Sequence, residues 1–367
     1  MTYSKPVASR VVAAVGAVVV STMLTPVSVG AQVLERLPNI SPMNGLPDPY
    51  ESQEWVDLPD GRTWGSTAGV DVDNDGRHIW AIDRCGANSC AGSDLAPILE
   101  IDPQGKVVTA IGAGLFLFPH GIHVDGDGNI WVTDAQGPNP SNPATAGRGH
   151  VAIKLSPAGD VLLTLGRPGS PGDGRGPLLN TPNDVVTDAE GNIYVGDGHG
   201  GQNLDSPPET VARIAKFDRN GNFITSWGRL GSGPGEMRTP HAVAIDSLSR
   251  LIVADRGNNR LQIFELDGTY IGELRQFGRP SDVYITDDDT IYVADSESLF
   301  ANSQNPGWIT GIRVGSLRSG IAESLINGKV AAYPNGSNPE GVAVDAAGNV
   351  YGAVVSGGGA FIKSTRR

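Results

Sequence analysis

The sequence predicts an all-β fold, a six-bladed β-propeller, on three observations. A phrase of alternating apolar residues, a Gly/Asp/Asn turn and a second short strand recurs six times; most copies are followed by another such pair; and Gly 50 and Pro 26 in 367 residues supply turns throughout. Alternation bounded by a turn is the mark of a β-hairpin. Two hairpins per repeat make a four-stranded sheet, and six such sheets set radially make a propeller.

In chain order, Lys5 and Arg10 precede an apolar run, Val11–Leu24, that is short for a bilayer span. Val29-Gly30-Ala31 offers small residues to a signal peptidase, so residues 1–31 read as a signal peptide cleaved after Ala31. A secreted or periplasmic protein with no membrane attachment after cleavage is expected. Export brings an oxidising compartment, in which Cys85 and Cys90 of CGANSC are expected to close a small disulfide loop. Two thiols are too few for a structural metal site. Residues 32–54 lack strong periodicity and read as a lead-in, with the propeller over residues 55–363.

The repeat is clearest at Pro119–Ala135, PHGIHVDGDGNIWVTDA, and returns at Gly69–Arg84, Pro182–Gly198, Pro240–Arg256, Pro280–Ser296 and Pro339–Val355. Second hairpins are expected at Ala96–Thr109, Val151–Leu165, Ala212–Trp227 and Leu261–Leu274. In the fifth unit Ile309–Val314 and Val330–Tyr333 are the strand candidates. In the sixth, Ala360–Lys363 is expected to pair with Trp55–Leu58.

Charge excludes some partners. The 27 basic and 40 acidic residues give −13, a field that opposes nucleic acid and anionic membrane surfaces.

The architecture says where chemistry can sit. The residue entering each first strand rings the central channel, and those positions are Ala68, His120, Asn183, His241, Ser281 and Glu340. Alternate blades therefore supply His, His and Glu, a set suited to a divalent metal such as Zn²⁺ with a position left for water or substrate. Pro-His and Pro-Glu are also ordinary ways to enter a strand, and a channel can hold solvated polar groups; the strict alternation favours the metal. Strand parity turns His123 away from His120. His78, at a turn, and His150, in a Gly-rich loop, read as structural or solvated.

After the second strands, on the same face, come Arg84, His199 and Arg256. Two guanidinium groups can clamp a carboxylate, and His199 can act as general acid or base. A salt bridge to Asp255 is the bland alternative for Arg256, and a solvated loop position for His199. The inserts Gln136–Gly149 and His199–Val211 fall on this face and are placed to shape a mouth. Asp71–Gly76 begins like an EF-hand loop, but Ile82 stands where the bidentate Glu is required, so a hairpin turn is expected.

The six phrases resemble NHL repeats. PHGIHVDGDGNIWVTD, PNDVVTDAEGNIYVGDGHG and PHAVAIDSLSRLIVADRGNNRLQIF resemble peptidyl-α-hydroxyglycine α-amidating lyase. That resemblance implies a six-bladed propeller with channel zinc on three histidines, a deeper structural calcium, and cleavage of a peptidyl-α-hydroxyglycine to an amide and glyoxylate. By motif, His120 and His241 match two zinc ligands, Arg84 and Arg256 the substrate-binding and catalytic arginines, and the carbonyls of Val70 and Ile122 the calcium ligands. Three positions depart: Glu340 replaces the third zinc histidine, Gly341 the calcium-binding aspartate, and His199 the catalytic tyrosine.

The expected function is thus a secreted, metal-dependent, lyase-like enzyme. Zinc is the expected metal, calcium a possible second ion, and a small molecule or peptide bearing a carboxylate the expected partner. The alternatives are a gluconolactonase-like hydrolase, whose metal Asn183 and Glu340 would help hold, and a non-catalytic NHL binding propeller.

Overall fold

In the computed structural model, residues 1–2, 42–299, 305–356 and 359–367 are described. Residues 3–31 of the leader, with its cleavage point, lie outside the described residues, as do residues 32–41 of the lead-in. The chain divides at Gln32 and Val33 into two units, and the propeller belongs to the second. Among the described residues no helix is long and apolar enough to cross a membrane.

Among the described residues, twenty-four strands form six separate four-stranded antiparallel sheets. Five blades are built from consecutive strands, beginning at Thr67–Val72, Pro119–Val124, Pro182–Thr187, Pro240–Ile245 and Asp282–Ile285. The sixth joins the chain ends: Pro339–Val344, Val350–Val354 and Ala360–Arg366 take Tyr50–Glu54 as their outer strand. Pairing runs from Tyr50 opposite Arg366 to Glu54 opposite Ile362. The closing strand thus lies before the expected Trp55–Leu58. Trp55 instead packs its ring 5.0 Å from Tyr351 and 6.3 Å from Phe361. Its aromatic bulk is used against the face of the sheet, while polar Tyr50–Glu54 suits an outer edge.

Blade five also differs from expectation. Its last two strands are Gly311–Ser316 and Ile321–Ile326, and Val330 and Tyr333 make only an isolated bridge. Ile321–Ile326 was hidden because its alternation is interrupted by Glu323 and Ser324 at an outer edge, where polar residues are tolerated.

Two sets of aspartates make the repeat rigid. Those closing the first turn bind their own hairpin: Asp125 Oδ1 accepts from Asp127 N and Asn129 N at 3.0 Å, and its Oδ2 from Trp131 Nε1 at 3.2 Å. Asp73 is placed alike, accepting from Asp75 N and Trp80 Nε1, so the Asp71–Gly76 stretch is a hairpin turn. Those ending the second strand, Asp83, Asp134, Asp197, Asp255 and Asp295, are fully buried. Each holds the loop leading into its own blade; Asp134, for example, accepts from Leu117 N and Phe118 N at 2.9 and 2.7 Å. That loop delivers the channel-facing residue, so a structural carboxylate fixes the entry of five blades; the sixth, which carries Glu340, has Val354 at that place. Between blades the core is apolar. Trp131, buried with Val185, Val195 and Phe217, joins blades two and three, and its truncation to Ala is worth about 3–5 kcal/mol.

Candidate metal centre

Each site-bearing strand begins with an irregularity. Register shifts lie between Pro119 and Ile122, Pro240 and Ala242, and Pro339 and Gly341. Such bulges re-aim a side chain, and here they coincide with His120, His241 and Glu340. Gly121 permits close approach of the next blade, since a Cβ there would collide with Asp184 Oδ1 and Asn183 O.

Three imidazoles converge. His120, His199 and His241 each bring a ring nitrogen to within 4.8 Å of the others. His120 Nδ1 donates to Asn183 O at 2.9 Å, and His241 Nδ1 to Ser281 O at 2.6 Å. Those bonds fix the tautomer and leave both Nε2 lone pairs aimed inward. Both Nε2 atoms are buried without a hydrogen-bond partner. An unsatisfied buried acceptor costs about 1–3 kcal/mol, and a backbone-anchored imidazole with a free Nε2 is the usual arrangement of a metal ligand. His199 Nε2 accepts from Arg256 Nη2 at 3.2 Å. Burial pushes all three imidazoles below their ordinary range, helped for His241 by Arg256 and for His199 by His120. Neutral imidazole is the form that binds metal.

Glu340 sits against the same cluster. Its Oε1 lies 3.3 Å from His120 Nε2, 4.0 Å from His241 Nε2 and 3.8 Å from Arg84 Nη2; its Oε2 lies 3.9 Å from Arg256 Nη1. Burial alone would raise its pKa, but His120, Arg256 and Arg84 outweigh burial and hold it well below the usual carboxylate range. Burial pushes Arg84 down to about 10 despite Glu340. Arg256 does not pair with Asp255, whose Oδ2 is taken by Arg260, Asn258 and Gln262. Its carboxylate neighbours are Glu297, 3.7 Å away, and Glu340.

Beneath the imidazoles a cavity of ≈ 20 Å³ is lined by Val70, Ile122, Asp184 and Asp282 among others. Val70 and Ile122, whose carbonyls the resemblance implies as calcium ligands, line this cavity, and Gly341 contributes no carboxylate. Asp184 Oδ2 accepts from Val243 N and Asp282 Oδ2 from Val342 N, each across a blade boundary. Burial raises both carboxyls, and Asp282 and Asp71 raise Asp184 further. Farther along the axis a funnel of ≈ 470 Å³ opens on the opposite face, lined by Asp71, Asp73, His123, Asp287 and Asp345.

His123 is therefore a funnel residue, 3.4 Å from Asp71 Oδ2 and 2.9 Å from Thr187 Oγ1. Parity separated it correctly from His120 but overlooked the other mouth. His150 is buried and accepts from Thr181 N, and His78 pairs with Asp75 at its turn. The sequence reading missed Asp184 and Asp282. The available signal was their place in the repeat, where the other blades carry Gly69, Gly121, Ala242 and Gly341. The insert after His199 lines, with Asn180 and Thr181, a side cavity of ≈ 430 Å³ that includes His199 itself. Cys85 and Cys90 form the expected disulfide.

Known proteins agree with this architecture. A domain family described as a 6-bladed beta-propeller matches residues 211–305, and the N-terminal region of the strictosidine synthase-like family matches residues 325–358. Peptidyl-glycine alpha-amidating monooxygenase of Mus musculus is 34% identical over 193 residues, covering 50% of this chain and 18% of that protein. NHL repeat-containing protein 3 of Mus musculus is 36% identical over 161 residues, 42% of this chain and 41% of the relative. A probable peptidyl-alpha-hydroxyglycine alpha-amidating lyase of Caenorhabditis elegans is 29% identical over 218 residues, 54% of this chain and 55% of the relative. The chain therefore spans less than two thirds of each of these relatives. Among solved structures, a gluconolactonase of Xanthomonas campestris superposes with TM-score 0.56 at 15% identity, over 87% of this chain and 90% of that one, which shows the shared fold. The chain is a six-bladed β-propeller homologous in sequence to the peptidyl-α-hydroxyglycine amidating lyases and to NHL-repeat proteins.

Proposed function

We propose that the chain is an exported, metal-dependent lyase that cleaves the C–N bond of an N-acylated α-hydroxyglycine to release an amide and glyoxylate. The observation that carries this is the pair of buried, unpartnered Nε2 atoms of His120 and His241, met by His199 and flanked by Arg84 and Arg256. In this reading the three imidazoles hold the metal, zinc by preference for nitrogen ligands, and His199 gives up its bond to Arg256 or binds through Nδ1. This revises the sequence expectation in which Glu340 was the third ligand and His199 moved the proton. Three neutral nitrogens converge, whereas Glu340 already lies among Arg84, Arg256 and His120.

The bound metal would acidify the substrate hydroxyl. Arg84 Nη2, buried without a hydrogen-bond partner, and Arg256 would hold the substrate carboxylate. Glu340 accepts the hydroxyl proton as the C–O bond becomes the aldehyde carbonyl and the C–N pair leaves with nitrogen; the same proton is then delivered to that nitrogen. A carboxylate held so far down is a weak base, so it serves only against an acidified hydroxyl. In the cavity below, Asp184 and Asp282 with the carbonyls of Val70 and Ile122 suit a calcium ion, replacing the carboxylate absent at Gly341.

The test is elemental analysis beside product analysis. The protein should carry about one zinc per chain, lost in His120→Ala/His241→Ala. Given an N-acyl-α-hydroxyglycine, it should release amide and glyoxylate in equal amounts. Stoichiometric metal without either product would overturn the lyase reading. One observation favours a second, lactonase-type reading: Asn183 Oδ1 is buried without a partner, as an oxygen ligand would be. Lactone hydrolysis that depends on Asn183 and Glu340 would establish it. Absence of metal from the purified protein would leave a binding propeller.

A further inference from the structure

We propose that Asn88, carried on the Cys85–Cys90 disulfide loop, is a positioning residue for Arg84. The orientation of the carboxylate-binding arm is thereby set by that loop. The proposal rests on the reading of Arg84 as a ligand for the substrate carboxylate.

A guanidinium has five N–H donors in one plane, and its direction is fixed once two edges are engaged. Arg84 Nε donates to Pro119 O at 3.0 Å, and Nη1 donates to Asn88 Oδ1 at 2.9 Å. The plane lies over the Phe118 ring, 3.5 Å from its centroid. Nη2 remains, buried without a hydrogen-bond partner and 3.8 Å from Glu340 Oε1. Two bonds and one ring thus aim the remaining nitrogen at the centre. Pro119 O and Phe118 belong to the strand entry that carries His120. Asn88 is the one side chain among these partners that comes from elsewhere.

Asn88 is exposed, so packing does not set its position. The loop does. The disulfide brings Cys85 and Cys90 to a Cα separation of 5.2 Å, and Cys85 is held at φ 57°, a conformation seldom adopted by residues other than glycine. Ala87 N donates to Arg84 O at 3.0 Å and Ser66 N to Ala87 O at 2.6 Å. At the far end Cys90 N donates to Leu117 O at 2.8 Å and Ser89 Oγ to the same oxygen at 3.2 Å. The loop therefore clips blade one to the segment that enters blade two at His120. Opening it frees Asn88 and returns rotamer freedom to a long side chain.

The experiment is a binding cycle on the metal-loaded full chain, with glyoxylate as probe and calorimetry as readout, beside metal content and melting temperature. Asn88→Ala is expected to weaken glyoxylate about tenfold, with metal stoichiometry unchanged. Asn88→Gln, which keeps an amide oxygen as acceptor and adds no charge, should stay within about threefold of the parent. Cys85→Ser/Cys90→Ser should move affinity in the same direction as Asn88→Ala. With substrate, the loss should fall on KM more than on kcat. In an Arg84→Ala background Asn88→Ala should have no further effect, because the residue acts only through Arg84. Arg84→Lys serves where Arg84→Ala lowers the melting temperature. If Arg84 variants weaken glyoxylate but Asn88→Ala does not, or if the two losses add, the positioning role is overturned. If Arg84 variants leave glyoxylate affinity unchanged, the reading of Arg84 fails and the proposal with it.

Discussion

Replacing Glu340 by Gln tests the electrostatics of the centre, because it removes one charge and little volume. Glu340 lies 3.8 Å from Arg84 and 3.9 Å from Arg256, both buried. At an effective dielectric of ~20, each contact is worth about 4 kcal/mol of Coulomb attraction, partly offset by the cost of burying the carboxylate. Arg256 keeps Glu297 at 3.7 Å, whereas Arg84 has no other carboxylate in ion-pair contact among the described residues. A net destabilisation of about 3 kcal/mol is expected for the metal-free protein. Affinity for a carboxylate should move oppositely, rising about tenfold, because an anion can then occupy the vacated charge. Urea denaturation in chelator and low chloride gives the first quantity, and glyoxylate titration the second. If three imidazoles hold the metal, its stoichiometry survives; loss of metal would restore Glu340 as a ligand. A variant no less stable than the parent, with no gain for anions, would refute the view of Glu340 as the neutralising centre.

Other consequences can be measured alongside. His199→Ala should lower zinc affinity by more than about 100-fold, since loss of an outer partner alone costs about 10–100-fold; competition with a chromogenic chelator reads this directly. The metal-free chain should lose stability as pH falls. Its buried imidazoles titrate below the ordinary 6.5 when folded and near it when unfolded, so below 6.5 the unfolded state binds more protons. Denaturation midpoints at pH 8 and 5.5 should differ less for His120→Ala/His241→Ala. The raised carboxyls of Asp184 and Asp282 act with the opposite sign. Their contribution is present below about 3.8 and lost as pH rises through the folded values. Asp184→Asn should therefore stabilise the metal-free protein at pH 8 by about 1–2 kcal/mol and abolish any rise in melting temperature caused by calcium.

The repeat made the propeller legible because each phrase carries its own turn, and five of the six a buried carboxylate at the end of the second strand. Asp125 needs only residues within its hairpin, so its role is written locally. Entry residues were legible for the same reason: counting from the turn places His120, His241 and Glu340 on one ring. Illegible features depend on neighbouring blades. Asp184 is bonded to Val243 N and Asp282 to Val342 N, partners about sixty positions away, and nothing in the local pattern marks them. The closing strand failed differently, since Tyr50–Glu54 is polar and lies on an outer edge, where alternation is not enforced. Asn88 meets Arg84 within a loop closed by a disulfide, and spacing alone gives no direction to a side chain.

The distribution of charge along the axis gives the channel a direction. On one side of the imidazoles stand Arg84 and Arg256, both buried, with Glu340 as the neighbour they share. Below the imidazoles come Asp184 and Asp282, and beyond them the opposite funnel carries Asp71, Asp73, Asp287 and Asp345. An anion entering through the funnel would pass carboxylates at every level, in a narrow space where screening is weak. From the arginine face it meets guanidinium first and the imidazoles next. On the proposed function, a substrate carboxylate would bind toward Arg84 and Arg256, with its acyl part toward the side cavity lined by Thr181, Gly200, Pro207 and Thr210. This orientation also accounts for two acidic groups in place of one below the centre: a second cation held there would offset the axial negative charge without competing for the imidazoles. Blocking the funnel with a bulky residue at Ala346, which lines it, should then leave turnover intact, whereas bulk at Gly200 should raise KM.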